Sequence, residues 1–579
     1  MSYTYTLPFG WLAYEDFCDR VCISHYCFSN SVLLCEAIAS GEYRSGPVVT
    51  LKTGSVQGHY RTVRGTDQLV EEYLGIPFAR PPLGPLRFAA PQPPQPWKGV
   101  RDATKLPNMC VYINFGAWRM PNLQRALWKT YPVTFPAVQV SEDCLYLNVY
   151  RRSGTRSGEK LPVMVWIHGG GLAAGGTFYY DGSPLAVYQN VVVVVIQYRL
   201  SILGFLSTGD EHAPGNWGFL DQIASLRWVQ ENIEAFNGDP DSVTIFGQSA
   251  GGISVSLLVM SPLAEGLFHK AIAMSGVVPL EAHYTNNPLL IAHSCDNNDT
   301  EKLVECIKSK SEEDILNAIQ QVSSSPAIDG VFLKGPPERI LKNSEFQKVP
   351  LLFGVTNHEF GWILPQVNFT DPLLLKGHLL YHLYPLFQTA GVHELILNEY
   401  LQNDDSLENI RDAFTEILGD LVLVLPILKV AAYHRDAGAP VHVYEFQHSP
   451  LMHKETRPSF VKADHFDDAL FFLGACFCNG HTIVTEEELS KTAMAYITNF
   501  ARTGSPNGPG LVEWPVYNHS ENYLILNLQQ TVSQRLKQNR AHFLNVVLPQ
   551  KLSPSPLPIT LFIKKVKKKK NLFFFFNSY

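Results

Sequence analysis

Residues 242 to 252 read Ser-Val-Thr-Ile-Phe-Gly-Gln-Ser-Ala-Gly-Gly. A β-branched and aromatic run, Val243-Thr244-Ile245-Phe246, stops at Gly247, and a lone serine, Ser249, stands between Gly247 and Gly251. A serine hydroxyl is a poor nucleophile unless it is held rigid and exposed beside a base. A sharp turn from strand to helix holds it that way, and residues near the turn must be small to avoid clashes. The pattern G-x-S-x-G, with an apolar strand before it and a helix-forming stretch after it, predicts a nucleophile elbow at Ser249. The first amide N–H groups of the helix would then face any negative charge that develops there. The plainer reading is a tight turn with an incidental serine; the strand-before, helix-after context favours the elbow.

A developing oxyanion needs donors. Trp166-Ile-His-Gly-Gly-Gly-Leu172 places three consecutive glycines directly after an apolar strand. Backbone free of side chains can turn its N–H groups toward a substrate oxygen without steric cost. A phosphate cradle would call for G-x-x-x-x-G-K-[ST], and no lysine follows at that offset. His168 is expected to pack at the strand end and fix the loop, because a base would have to lie against Ser249 while leaving the glycine amides free.

The elements that must position these groups alternate. Strands are predicted at 161–171, where the run passes into the glycine loop, and at 190–201, 242–246, 270–276, 349–355 and 441–446, and helices at 216–238, from 250 onward, at 402–418 and at 484–502. Such alternation predicts an α/β fold with a large, mostly parallel central sheet flanked by helices on both faces. In open sheets of this kind chemistry gathers beyond the carboxyl ends of the strands. The chain has 579 residues, 46% of them hydrophobic, which is ample for a large core, and no internal repeat. A formal charge of −7, from 46 basic and 53 acidic residues, gives no broad basic surface for nucleic acid. No apolar run reaches the roughly 18 residues a membrane-spanning helix needs.

Ten cysteines are present: Cys18, Cys22, Cys27 and Cys35 near the start, then Cys110 and Cys144, Cys295 and Cys306, and Cys476 and Cys478. Spacing leaves two readings open, buried thiols or local disulfide loops. Neither the first group nor Cys476-Phe477-Cys478 has zinc spacing, so no metal is expected, and no cofactor.

Together these motifs carry a resemblance. Ser-Glu-Asp-Cys-Leu-Tyr-Leu-Asn-Val-Tyr at 141–150, VMVWIHGGGL at 163–172, YRLSILGFLSTGDEHAPGNWGFLDQ at 198–222 and VTIFGQSAGG at 243–252 resemble the type-B carboxylesterases of the α/β-hydrolase fold. The resemblance spans about residues 46 to 550. GVFLKGPPERIL, GVTNHEFGWILP, VYEFQHSP, KADH and NFARTGSPNGPG look most like the vertebrate type-2 group, which includes cocaine esterases and medium-chain fatty acyl-CoA hydrolases.

The resemblance implies a serine carboxylesterase working through an acyl-enzyme on small-molecule esters, with thioesters and amides as further candidate substrates. Ser249 matches the nucleophile, Glu359 the acid and His465 the base. Gly170, Gly171 and Ala250 match the oxyanion donors. Glu359 follows an apolar strand, where a catalytic acid is expected; the rival Asp329 sits in an Asp-Gly step that ordinary turn chemistry explains. The pairings Cys110 with Cys144 and Cys295 with Cys306 match the family's disulfide loops and imply the secretory pathway, secreted or retained in the endoplasmic reticulum lumen. The sequons at Asn298, Asn368 and Asn518 are compatible with that route.

Departures are few and local. Gln248 stands where the family most often has glutamate, and Ser201 where it has glycine. Phe466 follows the base where a small residue is usual; its ring is expected to pack into an apolar pocket supplied by ALFFLGACF just downstream, and the competing reading is that it crowds His465. Asp467-Asp468 replaces Asp-Glu, and no carboxyl-terminal H-x-E-L occurs. The competing reading is a catalytically weak or inactive carboxylesterase-like binding protein; a lipase or cholinesterase is the third. Residues 1–45, a possible degenerate signal region, and the basic, Phe-rich stretch 551–579 look foreign to the domain at 46–550, and are expected to be wrongly assigned ends or alternative coding segments.

Overall fold

The computed structural model describes residues 44–112, 139–156, 158–280, 295, 299–318, 325–366, 371–383, 391–455, 457–478 and 484–552. The two terminal segments singled out above lie almost wholly outside the described residues, as do Asn298 and Asn368.

Val192–Ile196 shows why the centre of the molecule is a sheet. All five residues are β-branched and fully buried, so both faces of the strand must be covered. Val192, Val194 and Ile196 enter one core with Leu226, Val229 and Val255 from the helices Trp217–Asn232 and Ala250–Met260. Val193 and Val195 enter the opposite core with Leu185 of Ser183–Gln189 and with Ala493 and Ile497 of Val484–Thr503. The period of two along the strand sorts its side chains between two helical layers.

The strands are β1 (Arg44–Leu51), β2 (Gly54–Thr62), β3 (Leu69–Pro77), β4 (Val100–Asp102), β5 (Tyr146–Arg152), β6 (Leu161–Ile167), β7 (Val192–Ile196), β8 (Gly238–Gln248), β9 (Lys270–Met274), β10 (Leu351–Thr356), β11 (Val441–Phe446), β12 (Asn522–Leu526) and β13 (Thr531–Gln534). They form one sheet in the order β1-β2-β3-β5-β7-β6-β8-β9-β10-β11-β12-β13, with β4 beside β2. Every pairing from β7 through β12 is parallel. The pairings β1-β2, β2-β3, β3-β5, β5-β7 and β12-β13 are antiparallel. The carboxyl ends of β6, β8, β9, β10 and β11 therefore open onto one edge. A third apolar cluster, built by the helices Pro372–Leu383, Val392–Leu401 and Leu407–Gly419, packs on Leu364 beyond the loop that follows β10.

Several elements differ from their expected lengths: β8 runs from Gly238 to Gln248 and β9 ends at Met274. The strand expected over 190–201 stops at Ile196, because Gln197 turns its amide to the carbonyls of Asn108 and Cys144 and Ser201 opens a short helix. The helix expected over 216–238 ends at Asn232 and continues as a tighter turn to Phe236; Asn237 adopts φ +61° and Gly238 begins β8. The helix expected from 402 begins at Leu407, where the Ser406 hydroxyl accepts the Asn409 N–H and caps it. Cys110 is joined to Cys144 (S–S 2.03 Å) and Cys295 to Cys306 (S–S 2.04 Å), closing loops of 34 and 11 residues in sequence separation. Among the described residues no helix is long and apolar enough to cross a membrane.

Candidate active site

Ser249 follows β8 directly and stands at the start of the helix Ala250–Met260 with φ +57° and ψ −123°, a conformation that costs a non-glycine residue strain. The surroundings over-determine that geometry. The Ser249 N–H donates to the Met274 carbonyl at 2.8 Å, and its own carbonyl accepts the Ile253 N–H at 2.9 Å to start the helix. A Cβ on Gly251 would lie 2.0 Å from the Ile167 carbonyl oxygen, and one on Gly276 would lie 2.1 Å from that of Ser249. The small residues of the turn are thus spaces that neighbouring backbone already fills.

The glycine loop leaves β6 beside this elbow. Gly170 and Gly171 take φ +109° and +65°. Among the described residues neither their N–H groups nor that of Ala250 is given to another backbone carbonyl, so all three remain available. His168 lies under the loop, not beside Ser249. It is 1% exposed, stacks on Tyr198 at 4.4 Å between ring centroids, and bonds the Gly169 carbonyl through Nδ1 at 2.8 Å. Burial pushes its pKa down to about 4, so it packs as a neutral ring.

Glu359 follows β10 and is 2% exposed. Its Oε1 accepts the Thr356 N–H and the Ser275 hydroxyl, each at 2.7 Å, while Oε2 faces Nδ1 of His465 at 2.6 Å. His465 comes from the loop after β11 and its side chain is 18% exposed, with the other ring nitrogen, Nε2, 3.0 Å from the side-chain amide nitrogen of Gln248. Gln248 directly precedes Ser249, so the contact seats the imidazole against the elbow. Burial opposes the charged imidazolium, but the hydrogen bond and charge of Glu359, with Asp464 and Asp468 behind, outweigh it and raise the His465 pKa. Asp329, the rival acid, holds a turn: its Oδ1 accepts the N–H groups of Val331, Phe332 and Leu333.

Sequence reading missed the layer behind Ser249, Glu359 and His465. Ser275, at the end of β9 with φ +46°, supplies one of the two donors to Glu359. A Ser-Gly pair ending an apolar strand was the available signal. Asp464, Asp467 and Asp468 are fully buried; Arg457 grips Asp467 with two bonds of 2.5 and 2.8 Å, and Tyr444 donates to Asp468 at 2.6 Å. Of the two readings for Phe466, the structure places the ring in packing contacts, and the departure acts on the backbone. Phe466 packs its ring against the core cluster and edge-on to Tyr180, 6.0 Å between centroids, while its φ of +85° begins the helix Asp467–Phe472. Ser201 is the same case: φ +53°, its N–H bound to the Leu172 carbonyl at 2.7 Å at the end of the glycine loop. Both departures fall where glycine is the least strained residue.

This arrangement can activate a hydroxyl, orient the base that does so and hold an oxyanion. Comparison with known proteins agrees with that chemistry. The sequence profile described as the Carboxylesterase family matches residues 45–544. Carboxylesterase 5A of Homo sapiens is 45% identical over 543 residues, covering 90% of this chain and 92% of that protein. The human cocaine esterase is 44% identical over 542 residues, covering 90% and 95%. The precursor of a medium-chain fatty acyl-CoA hydrolase from Anas platyrhynchos is 45% identical over 525 residues, covering 87% and 93%. The chain belongs to the carboxylesterase family, has the α/β-hydrolase fold and is a carboxylic ester hydrolase.

Proposed function

We propose that Ser249 is the nucleophile of a serine carboxylesterase, His465 its general base and Glu359 the acid that orients and stabilises the imidazole. The observation that carries this is the chain of contacts from the buried Glu359 through Nδ1 of His465 at 2.6 Å to Nε2 beside the strained Ser249 turn. With Nδ1–H given to Glu359, neutral His465 presents a lone pair at Nε2 that takes the Ser249 proton as the hydroxyl attacks an ester carbonyl. The N–H groups of Gly170, Gly171 and Ala250 hold the oxyanion, where loss of one donor typically costs about 10²–10³ in rate. His465 then returns the proton to the leaving alcohol, and water hydrolyses the acyl-enzyme by the same steps. Fatty acyl thioesters are a substrate class to try, in keeping with the name of the medium-chain relative.

The test is fluorophosphonate labelling alongside p-nitrophenyl ester hydrolysis. Both should occur in the purified protein and be lost in a folded Ser249→Ala variant; unchanged turnover in that variant refutes the assignment, and a wild-type protein that neither labels nor hydrolyses would favour a binding role. The two disulfides further support folding in an oxidising secretory compartment. Peptide mapping without reductant, on protein from a secretory host, checks this by asking whether all four thiols are bonded.

A further inference from the structure

Gln248 presents a side-chain amide 3.0 Å from the one ring nitrogen that the proposed chemistry needs free. Gln248 is 3% exposed, and a Cβ on Gly169 would lie 3.2 Å from its Oε1, so the amide is wedged between the glycine loop and the imidazole. The donor sense of the contact follows from the other side of the ring. Nδ1 meets Glu359 Oε2 at 2.6 Å, which requires a proton on Nδ1. Neutral His465 then has only a lone pair at Nε2, and a group facing it at hydrogen-bond distance must be a donor. The amide NH₂ of Gln248 satisfies this; its oxygen would not.

We propose that Gln248 is a positioning residue for the base: its amide donates to the Nε2 lone pair of neutral His465, favours the Nδ1-protonated tautomer, and sets how far the pH can fall before the base is lost. The proposal rests on the role of His465 given above. A hydrogen bond to the neutral form lowers a pKa. When His465 takes a proton at Nε2, that bond is lost and the amide must turn end for end to offer its oxygen. Gln248 thereby opposes the groups that favour the imidazolium: Glu359 from the loop after β10, and Asp464 and Asp468 from its own loop and helix. The charge of Asp467 is held by Arg457, and Tyr444 donates to Asp468. His168, on the glycine loop's own strand end, is neutral. A glutamate at position 248 would lack the donor and add a fourth carboxylate facing the ring, so the neutral amide keeps the base available at lower pH.

Two measurements on Gln248→Met and Gln248→Glu test this. The first is the pH profile of kcat/KM for p-nitrophenyl acetate. The second is independent of turnover: the rate at which diethyl pyrocarbonate acylates His465, followed against pH by peptide mass spectrometry in a Ser249→Ala background. That reagent reacts with the unprotonated imidazole, so its profile reports the pKa of His465 directly. Loss of a hydrogen bond of ordinary net strength should move both profiles upward by about half to one pH unit in Gln248→Met, and further in Gln248→Glu. Profiles unmoved within about 0.2 unit, or a downward shift in Gln248→Met, overturn the proposal. A merely structural role would change rates without moving the profile. If the wild-type protein does not hydrolyse esters, the esterase reading fails, while the acylation profile still decides the Gln248 contact; Gln248→Glu, nearly isosteric, serves should the methionine variant not fold.

Discussion

Replacing Glu359 by glutamine tests whether the acid acts through the tautomer of the base. The substitution adds no volume and removes one charge, yet the surrounding donors dictate how the new amide must lie. Glu359 Oε1 accepts the Thr356 N–H and the Ser275 hydroxyl at 2.7 Å each. The serine hydroxyl can rotate, but the backbone N–H cannot, so the glutamine oxygen must take that position. Its NH₂ is then left facing His465 Nδ1, where Oε2 now sits at 2.6 Å. Two donors cannot share that contact, and the imidazole must move its proton to Nε2. The lone pair required by Ser249 disappears while the fold remains. In a serine hydrolase whose acid was exchanged for its amide, kcat falls by about 10⁴ through this wrong tautomer, which at 1.36 kcal/mol per tenfold is about 5.4 kcal/mol of transition-state stabilisation. Initial rates of p-nitrophenyl butyrate hydrolysis by purified Glu359→Gln protein, with near-ultraviolet circular dichroism to confirm packing, measure the loss. A well-folded variant retaining more than about a tenth of wild-type kcat would refute the reasoning, because orientation of the imidazole could not then depend on this carboxylate.

Three further outcomes are expected. Ser201→Gly should stabilise the protein by about 1–2 kcal/mol in chemical denaturation, since it relieves a left-handed residue and removes a fully buried hydroxyl that has no partner among the described residues. Phe466→Gly relieves similar strain at φ +85°, but it forfeits the packing of a half-buried ring, a part of the about 1.5–3 kcal/mol of a fully buried one, so a small net destabilisation with no gain in kcat is expected; a variant with raised kcat would restore the crowding idea. Burial, aided by the charge of Glu359 and despite the Tyr444 bond, raises the Asp468 pKa to about 7. A raised carboxyl pKa means the folded state binds the extra proton, so this contribution to stability is present below about pH 4 and lost as pH rises through about 7. Asp468→Asn should therefore flatten the fall in Tm between about pH 4 and 7, and an unaltered slope would show that this carboxyl is not the group titrating.

The sheet was legible because its strands are short apolar runs that end at glycine or at a polar turn. Val192–Ile196 and Val441–Phe446 could hardly be anything else once alternation with helices set the parallel pattern. The elbow was legible for a local reason as well: crowding writes itself into the sequence as glycine. What escaped was set by partners remote in sequence. The early end of the strand before Ser201 depends on Gln197 reaching the carbonyls of Asn108 and Cys144. Ser275 became visible only when β9 was placed between β8 and β10, which sets its hydroxyl against Glu359. Nothing in Asp467-Asp468 announces that both carboxylates are buried, because an acidic pair at a helix start reads as a solvated first turn until Arg457 and Tyr444 arrive.

Ser201 and Phe466 show how a departure from a family pattern is best weighed. A large side chain in place of a small one suggests a clash, and the Phe466 ring next to the base invites that reading. The ring has room, against Tyr180 and the core cluster; the cost lies in the backbone, where a residue with a Cβ is held at positive φ. The same cost falls on Ser201, whose N–H anchors the Leu172 end of the loop that would bind the oxyanion. Both positions border the site without entering it. Strain there draws on stability before it touches the reacting atoms, provided the anchoring bonds persist. Gln248 is different in kind, since its side chain faces the base at 3.0 Å and its chemistry alters protonation directly. Of the departures, the one that changes least in shape is therefore the one with the most direct hold on catalysis.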